Sequence, residues 1–209
     1  MNLSAEEGFR DEDWRGSYYQ LAIELSPEPD DARLTSALET LSASMDRCPA
    51  PEESEDELHA VETEFVRSIY GTLQLPEVNR LGVRALVLRE KDGSDFLDLC
   101  VPTGMMERAG YRMEDPLSEG FLLALDRAFL QVAEEVCASA PFDLALLGEE
   151  VSGLLHMRDF FERSDRAEWY VRHGGLLIRP ALLKELSTRV VAERRPNGLL
   201  YIERSRNVA

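Results

Sequence analysis

VRALVLREKDGSDFLDLCVP, residues 83 to 102, sets two runs of strand-forming residues around the short break KDGS. Asp92-Gly93 at the centre of that break is the composition of a tight hairpin turn, because both residues tolerate positive φ. A hairpin implies antiparallel pairing. A second hairpin is read further on, where the strand-like run AEWYVRH (167 to 173) meets LLIR across Gly174-Gly175. Two hairpins among interspersed helices predict an α+β fold: a mainly antiparallel sheet with β-hairpins packed by amphipathic helices, rather than a doubly wound parallel sheet. The expected organisation is a loosely ordered N-terminal segment, 1 to 15, followed by a single domain, 16 to 209.

Upstream, GSYYQLAIEL (16 to 25) alternates Tyr19, Leu21, Ile23 and Leu25 against Tyr18, Gln20, Ala22 and Glu24. This is the pattern of a half-buried strand. Asp30 or Asp31 then caps an amphipathic helix over 31 to 46, striped by Leu34, Leu38, Leu41 and Met45. CPAPEESEDE (48 to 57) reads as a charged linker. Leu58, Val61, Phe65, Ile69 and Leu73 predict a second helix, ending near Gly71 and before Pro76. Asp115-Pro116 predicts the start of a third, with Phe121, Leu122, Leu125, Phe129, Val132 and Val136 as its buried stripe. FDLALLG (142 to 148) reads as a strand and LLHMRDFF as a helix. Pro180 opens a last helix running to about Arg194, and Pro196-Asn197-Gly198 turns into a final strand, LLYIER.

The chain has 209 residues and a formal net charge of −17, from 23 Lys+Arg and 40 Asp+Glu. The charge is uneven. From Arg158 onward there are 11 basic and 7 acidic residues, leaving 12 against 33 in the first 157. A field of that sign repels phosphates and anionic membranes and attracts basic partners. No apolar run approaches the ~20 residues that span a bilayer, and the acidic N-terminus lacks a signal-peptide layout. Cys48, Cys100 and Cys137 are odd in number and widely spaced, so no disulfide framework is expected. These features predict a cytoplasmic protein without direct nucleic acid or membrane binding.

Candidate chemistry is sparse. His173-Gly174-Gly175 resembles the oxyanion loop of lipases, but the G-x-S-x-G elbow that would complete it is absent from the sequence. The glycines therefore read as a turn. Glu55, His59 and Glu62 share a face of the expected second helix, where a carboxylate-imidazole set can hold a transition metal. The surrounding run is acidic at every polar position and no companion ligand set exists, so no metal is expected. Glu149 and Glu150 with His156, or Cys100 with a histidine, are the acid-base and nucleophile candidates. Neither G-x-x-x-x-G-K-[ST] nor G-x-G-x-x-G occurs, and no cofactor is expected. Among the C-terminal arginines, Arg189, Arg194 and Arg195 are expected to complement a helix C-terminus.

Trp14-x-Gly16-x-Tyr18-Tyr19, leading into an apolar strand and a leucine-patterned helix, resembles the opening of certain bacterial toxin-immunity proteins. The Gly174-Gly175-Leu-Leu-Ile strand is similar to theirs as well. The resemblance implies an acidic, cytoplasmic, non-enzymatic α+β protein that binds and inhibits a toxin, and it carries no residue roles. Together with the charge, the expected partner is a basic protein toxin such as a secreted nuclease, whose cleft must be basic to hold phosphates. The expected contact residues are Glu52, Glu53, Glu55, Asp56 and Glu57, with Glu149 and Glu150 as a second group. The alternative is a small-molecule hydrolase or transferase using a carboxylate/His site or Cys100.

Overall fold

Tyr18–Ser26 (β1) is buried on both sides along almost its whole length, and the fold is arranged around that strand. The computed structural model describes residues 9–51, 63–76, 78–91, 93–112, 115, 118–151, 157–162, 169–170, 174–186 and 190–203. β1 is followed by α1 (Asp31–Ser44), β2 (Asp46–Arg47), β3 (Thr63–Leu75), β4 (Val78–Glu90) and β5 (Asp95–Pro102). Next come α2 (Thr103–Arg108), α3 (Ser118–Ser139), β6 (Leu144–Glu149) and α4 (Met157–Glu162). The chain then forms β7 (Gly175–Ile178), a 3-10 helix (Pro180–Glu185), β8 (Glu193–Arg194) and β9 (Leu200–Ile202). The nine strands form one sheet in the order β2-β3-β4-β5-β1-β6-β7-β9-β8. Every pair is antiparallel, so the fold is α+β.

One face of the sheet packs on α1 and α3. Leu21, Ile23 and Leu25 of β1 meet Leu34, Ala37 and Leu41 of α1 and Leu125, Phe129 and Val136 of α3 in one apolar cluster. The other face carries Ala22, Phe96, Leu146, Leu176 and Ile178, closed over by Val151, Phe160, Tyr170 and Leu186. Each fully buried Leu or Ile contributes roughly 1.5–3 kcal/mol, so neither layer is dispensable. The expected half-buried strand is thus buried twice over.

The stretch 83–102 is a hairpin. Val87 pairs with Leu97 and Arg89 with Asp95. Gly93 has φ +96, and a Cβ there would lie 2.8 Å from the Pro29 ring, so this turn requires glycine. The hairpin is bolted to the start of α1. Asp95, inaccessible to solvent, accepts from Arg89 Nε at 2.6 Å, Arg89 Nη2 at 2.9 Å and the Asp30 backbone N–H at 2.9 Å. Asp30 caps α1 by accepting from the Arg33 N–H at 2.9 Å. Arg89 also reaches Asp31 at 2.8 Å.

Three expectations are corrected. Residues 63 to 75 form a strand, not the end of a second helix; Leu58 and Val61 lie outside the described residues. A four-residue spacing is also a multiple of two, so Phe65, Ile69 and Leu73 satisfy a strand as well as a helix. Val66, Ile69, Tyr70 and Thr72 favour the strand. Trp169 and Tyr170 are helical where a strand was expected; the rest of 167 to 173 lies outside the described residues. Neither Gly174 nor Gly175 has positive φ, and β7 pairs with β6 and β9 instead. The glycine serves close approach: a Cβ on Gly174 would lie 2.9 Å from the Leu147 carbonyl oxygen and 3.1 Å from Tyr170 Cδ1.

Pro180 does open a helix, but it is a 3-10 helix ending at Glu185; Glu193 and Arg194 belong to β8. Of the N-terminal segment 1 to 15, residues 1 to 8 lie outside the described residues. Asp13 pairs with Arg108, and Trp14 meets Tyr70 edge-on with ring centroids 5.1 Å apart. The third helix starts at Ser118, whose Oγ accepts from the Arg112 N–H at 2.8 Å.

Two outcomes check these assignments. Asp95→Ala lowers unfolding stability by about 2–3 kcal/mol in denaturant titration, because it strips the partner from Arg89 and from the Asp30 N–H. Asp95→Asn, which keeps an acceptor, loses less. Gly174→Ala costs about 1–3 kcal/mol through overpacking; a neutral result refutes the close approach.

Candidate functional site

The sheet face opposite α1 and α3 brings together polar side chains that the sequence pattern left scattered. The pairing places Gln20 beside Cys100 and Cys100 beside Arg84, with Asp98 next to Ala22 and Leu86 one step along. Gln20, Glu24, Asp98 and Cys100 are all buried. Their signal in the sequence was the second, even-numbered face of β1 and β5, which a half-buried reading assigns to solvent.

Cys100 is not set up as a nucleophile. Its Sγ accepts from Gln20 Nε2 at 3.4 Å. Burial, with the neighbouring Asp98 charge adding to it, pushes the thiol up to about 12, against the smaller opposing effects of Gln20 and Arg84. At neutral pH it is a thiol, and the thiolate is the reactive form. Cys137 is buried in α3, and burial also raises the half-buried Cys48 thiol. All three cysteines are free.

Glu149 is the exposed last residue of β6, where it pairs with Tyr19. Glu150 leaves the strand at φ 47, a left-handed conformation unusual for a residue with a side chain, and its N–H donates to the Tyr18 carbonyl at 2.9 Å. Neither glutamate side chain makes a hydrogen bond or ion pair with another described residue. Glu52, Glu53, Glu55, Asp56, Glu57 and Glu62 lie outside the described residues, as do His59, His156 and His173. Among the described residues no group of three or more His, Cys, Asp or Glu is arranged to hold a metal ion. No helix of the described residues is long and apolar enough to cross a membrane.

Arg194 and Arg195 take other roles than expected. Arg194 lies in β8, and Arg195 just after it bridges Glu134 of α3 at 2.6 Å and Glu193 at 2.8 Å. The strand edge, not a helix end, is what Arg195 ties down. Arg189, Arg204 and Arg206 lie outside the described residues.

A groove of about 830 Å³ runs between α1 and the β2–β4 part of the sheet. Leu34, Leu38 and Ile69 line its apolar part, and Arg47, Arg67 and Arg89 bring positive charge to it. Arg89 is committed to Asp31 and Asp95. Arg47 and Arg67 are exposed and have no hydrogen-bond or ion-pair partner among the described residues. Sequence reasoning missed this groove because it placed Arg67 and Ile69 on a helix. Among its described lining residues are Asp31 and Glu39 as well as the arginines, and no histidine or cysteine.

Comparison with protein-family models, curated proteins and solved structures gave no match to this chain.

The cysteine assignment is checked by alkylation. With iodoacetamide at mildly alkaline pH, Cys48 is modified in the native protein while Cys100 reacts only on unfolding; rapid native labelling of Cys100 contradicts the burial. The unfolded thiol ionises near ~8.5, well below the folded one. The unfolded state therefore loses its proton first, and stability falls as pH rises from that value towards about 12. Cys100→Ala flattens that alkaline slope.

Proposed function

We propose that this chain is a non-enzymatic binding protein that sequesters a basic protein toxin, such as a secreted nuclease, through its acidic surface. The observation that carries the reading is the charge asymmetry: 33 acidic against 12 basic residues in the first 157, within a chain of net charge −17. A cleft built to hold phosphates is basic, so an inhibitor covered in carboxylates gains association rate and selectivity from electrostatic steering. Glu149 and Glu150 are suited to such a contact, being exposed, adjacent and unengaged by other described residues. The resemblance of the Trp14–Tyr19 and Gly174–Ile178 stretches to toxin-immunity proteins supports the same reading. A hydrolase or transferase built on Cys100 gains no support from a thiol held protonated at neutral pH.

The test starts from a partner captured on the immobilised chain in a lysate of its native organism and identified by mass spectrometry. The association rate of that partner falls steeply towards 1 M salt, where the Debye length is about 3 Å, while its dissociation rate changes less. Reversing Glu149 and Glu150 together to Lys slows association by about tenfold. Association insensitive to both salt and charge reversal, or a partner that is itself acidic, overturns the proposal.

A further inference from the structure

Ahead of β1 the chain lies across the sheet. It forms a 3-10 turn, Asp11–Trp14, that sits against α2. In the sheet order β5 and β4 separate β1 from β3, yet Trp14 reaches the Tyr70 ring of β3. The Arg15 carbonyl accepts from the Gly104 N–H at 3.1 Å. The Asp13 carboxylate accepts from the Arg10 N–H at 2.8 Å and pairs with Arg108, whose guanidinium also lies over the Phe9 ring at 5.5 Å. Gly104 makes room for this approach, because a Cβ there would lie 2.8 Å from the Asp13 carbonyl oxygen.

What holds residues 9 to 15 differs from what holds the core. Among them only Asp13 is buried, while Phe9 and Trp14 are half-buried against the apolar cluster. Lifting the segment uncovers little apolar surface and breaks no strand pairing. Segments of that kind open at free energies below that of global unfolding. Gly16, at φ +95, supplies a hinge. On its far side Ser17 stays fastened, its carbonyl accepting from the Thr103 N–H at 2.8 Å. The segment also bears on the outer part of the sheet. Besides meeting Trp14, Tyr70 holds the Cys48 N–H on its carbonyl at 3.1 Å, and the Cys48 thiol donates to the Gly71 carbonyl at 3.6 Å.

We propose that residues 9 to 15 form a strap that opens as one unit about Gly16, with the Asp13–Arg108 ion pair as its catch. Opening the strap withdraws Trp14 from Tyr70 and loosens the attachment of Cys48 to β3. The device belongs to the fold itself and stands independently of the binding partner proposed above.

Hydrogen exchange of the full chain in low denaturant reads the opening. The Asp13 and Gly104 amides are expected to exchange through an opening that denaturant hardly affects, while those of Leu21 and Ile23 exchange only with global unfolding. Arg108→Gln removes the charge of the catch and speeds the Asp13 and Gly104 amides by about tenfold. Arg108→Lys, which keeps the charge, has a smaller effect. Alkylation of Cys48 quickens in Arg108→Gln while Cys100 stays protected, which marks the change as local. Trp14→Ala gives the same pattern and serves in place of Arg108→Gln should that variant not fold. The proposal is overturned if the Asp13 and Gly104 amides of the unaltered chain exchange only with global unfolding. It is equally overturned if the folded variants leave those amides unchanged, or if Cys100 becomes labelled together with Cys48.

Discussion

Both sides of β1 are closed to water, so every polar group on that strand must be satisfied inside the protein. Its backbone is satisfied by β5 on one side and β6 on the other, with Leu21 opposite both Leu99 and Leu147. Its odd-numbered side chains fill the layer under α1 and α3. The even-numbered ones include Gln20 and Glu24, polar groups buried in the opposite layer at a cost that only internal partners offset. The placement of α3 follows from the same strand, because the Tyr19 hydroxyl donates to the buried Asp126 carboxylate on that helix. The sheet order and both covering layers are conditions for one strand to be dry.

The parts of this fold that were legible in the sequence are those where local chemistry and tertiary context agree. The β4–β5 hairpin announces itself through Gly93, α1 through its Asp30 cap, and α3 through an apolar stripe. β3 was not legible as a strand, because spacing by four fits two periods at once and Leu58 and Val61 extend the helical spacing upstream. Gly174-Gly175 was misread for a different reason. A glycine pair signals a conformational need or a steric one, and a sequence does not distinguish them; here the Leu147 carbonyl lies too near for a side chain. The arginine-bearing groove was invisible because it depends on β2, β3 and α1 meeting, residues that no local pattern connects. The acidic group at 52 to 57 lies outside the described residues, and of the expected contact surface Glu149 and Glu150 alone have a described position.

Net charge and local charge differ on this molecule. The chain is strongly acidic, whereas its groove between α1 and the sheet carries three arginines beside Asp31 and Glu39, one of them, Arg89, shared by Asp31 and Asp95. Long-range attraction is governed by the total and favours basic partners. At close range, within a Debye length of ~8 Å at physiological salt, the described lining of this groove presents Arg47 and Arg67 together with Asp31 and Glu39.

The central position of β1 also sets an order of assembly. The strand spans residues 18 to 26, while its neighbours span 95 to 102 and 144 to 149. During synthesis β1 leaves the ribosome first and stays without either neighbour while some 70 further residues are added. α1 can form early from local contacts, and the β3–β4–β5 meander can zip by nearest-neighbour turns, but neither buries β1 completely. Closing both of its edges joins residues far apart in the chain, the kind of contact that slows folding. Until then an apolar strand with two open edges is a target for chaperones, and for pairing between nascent chains of the same polysome.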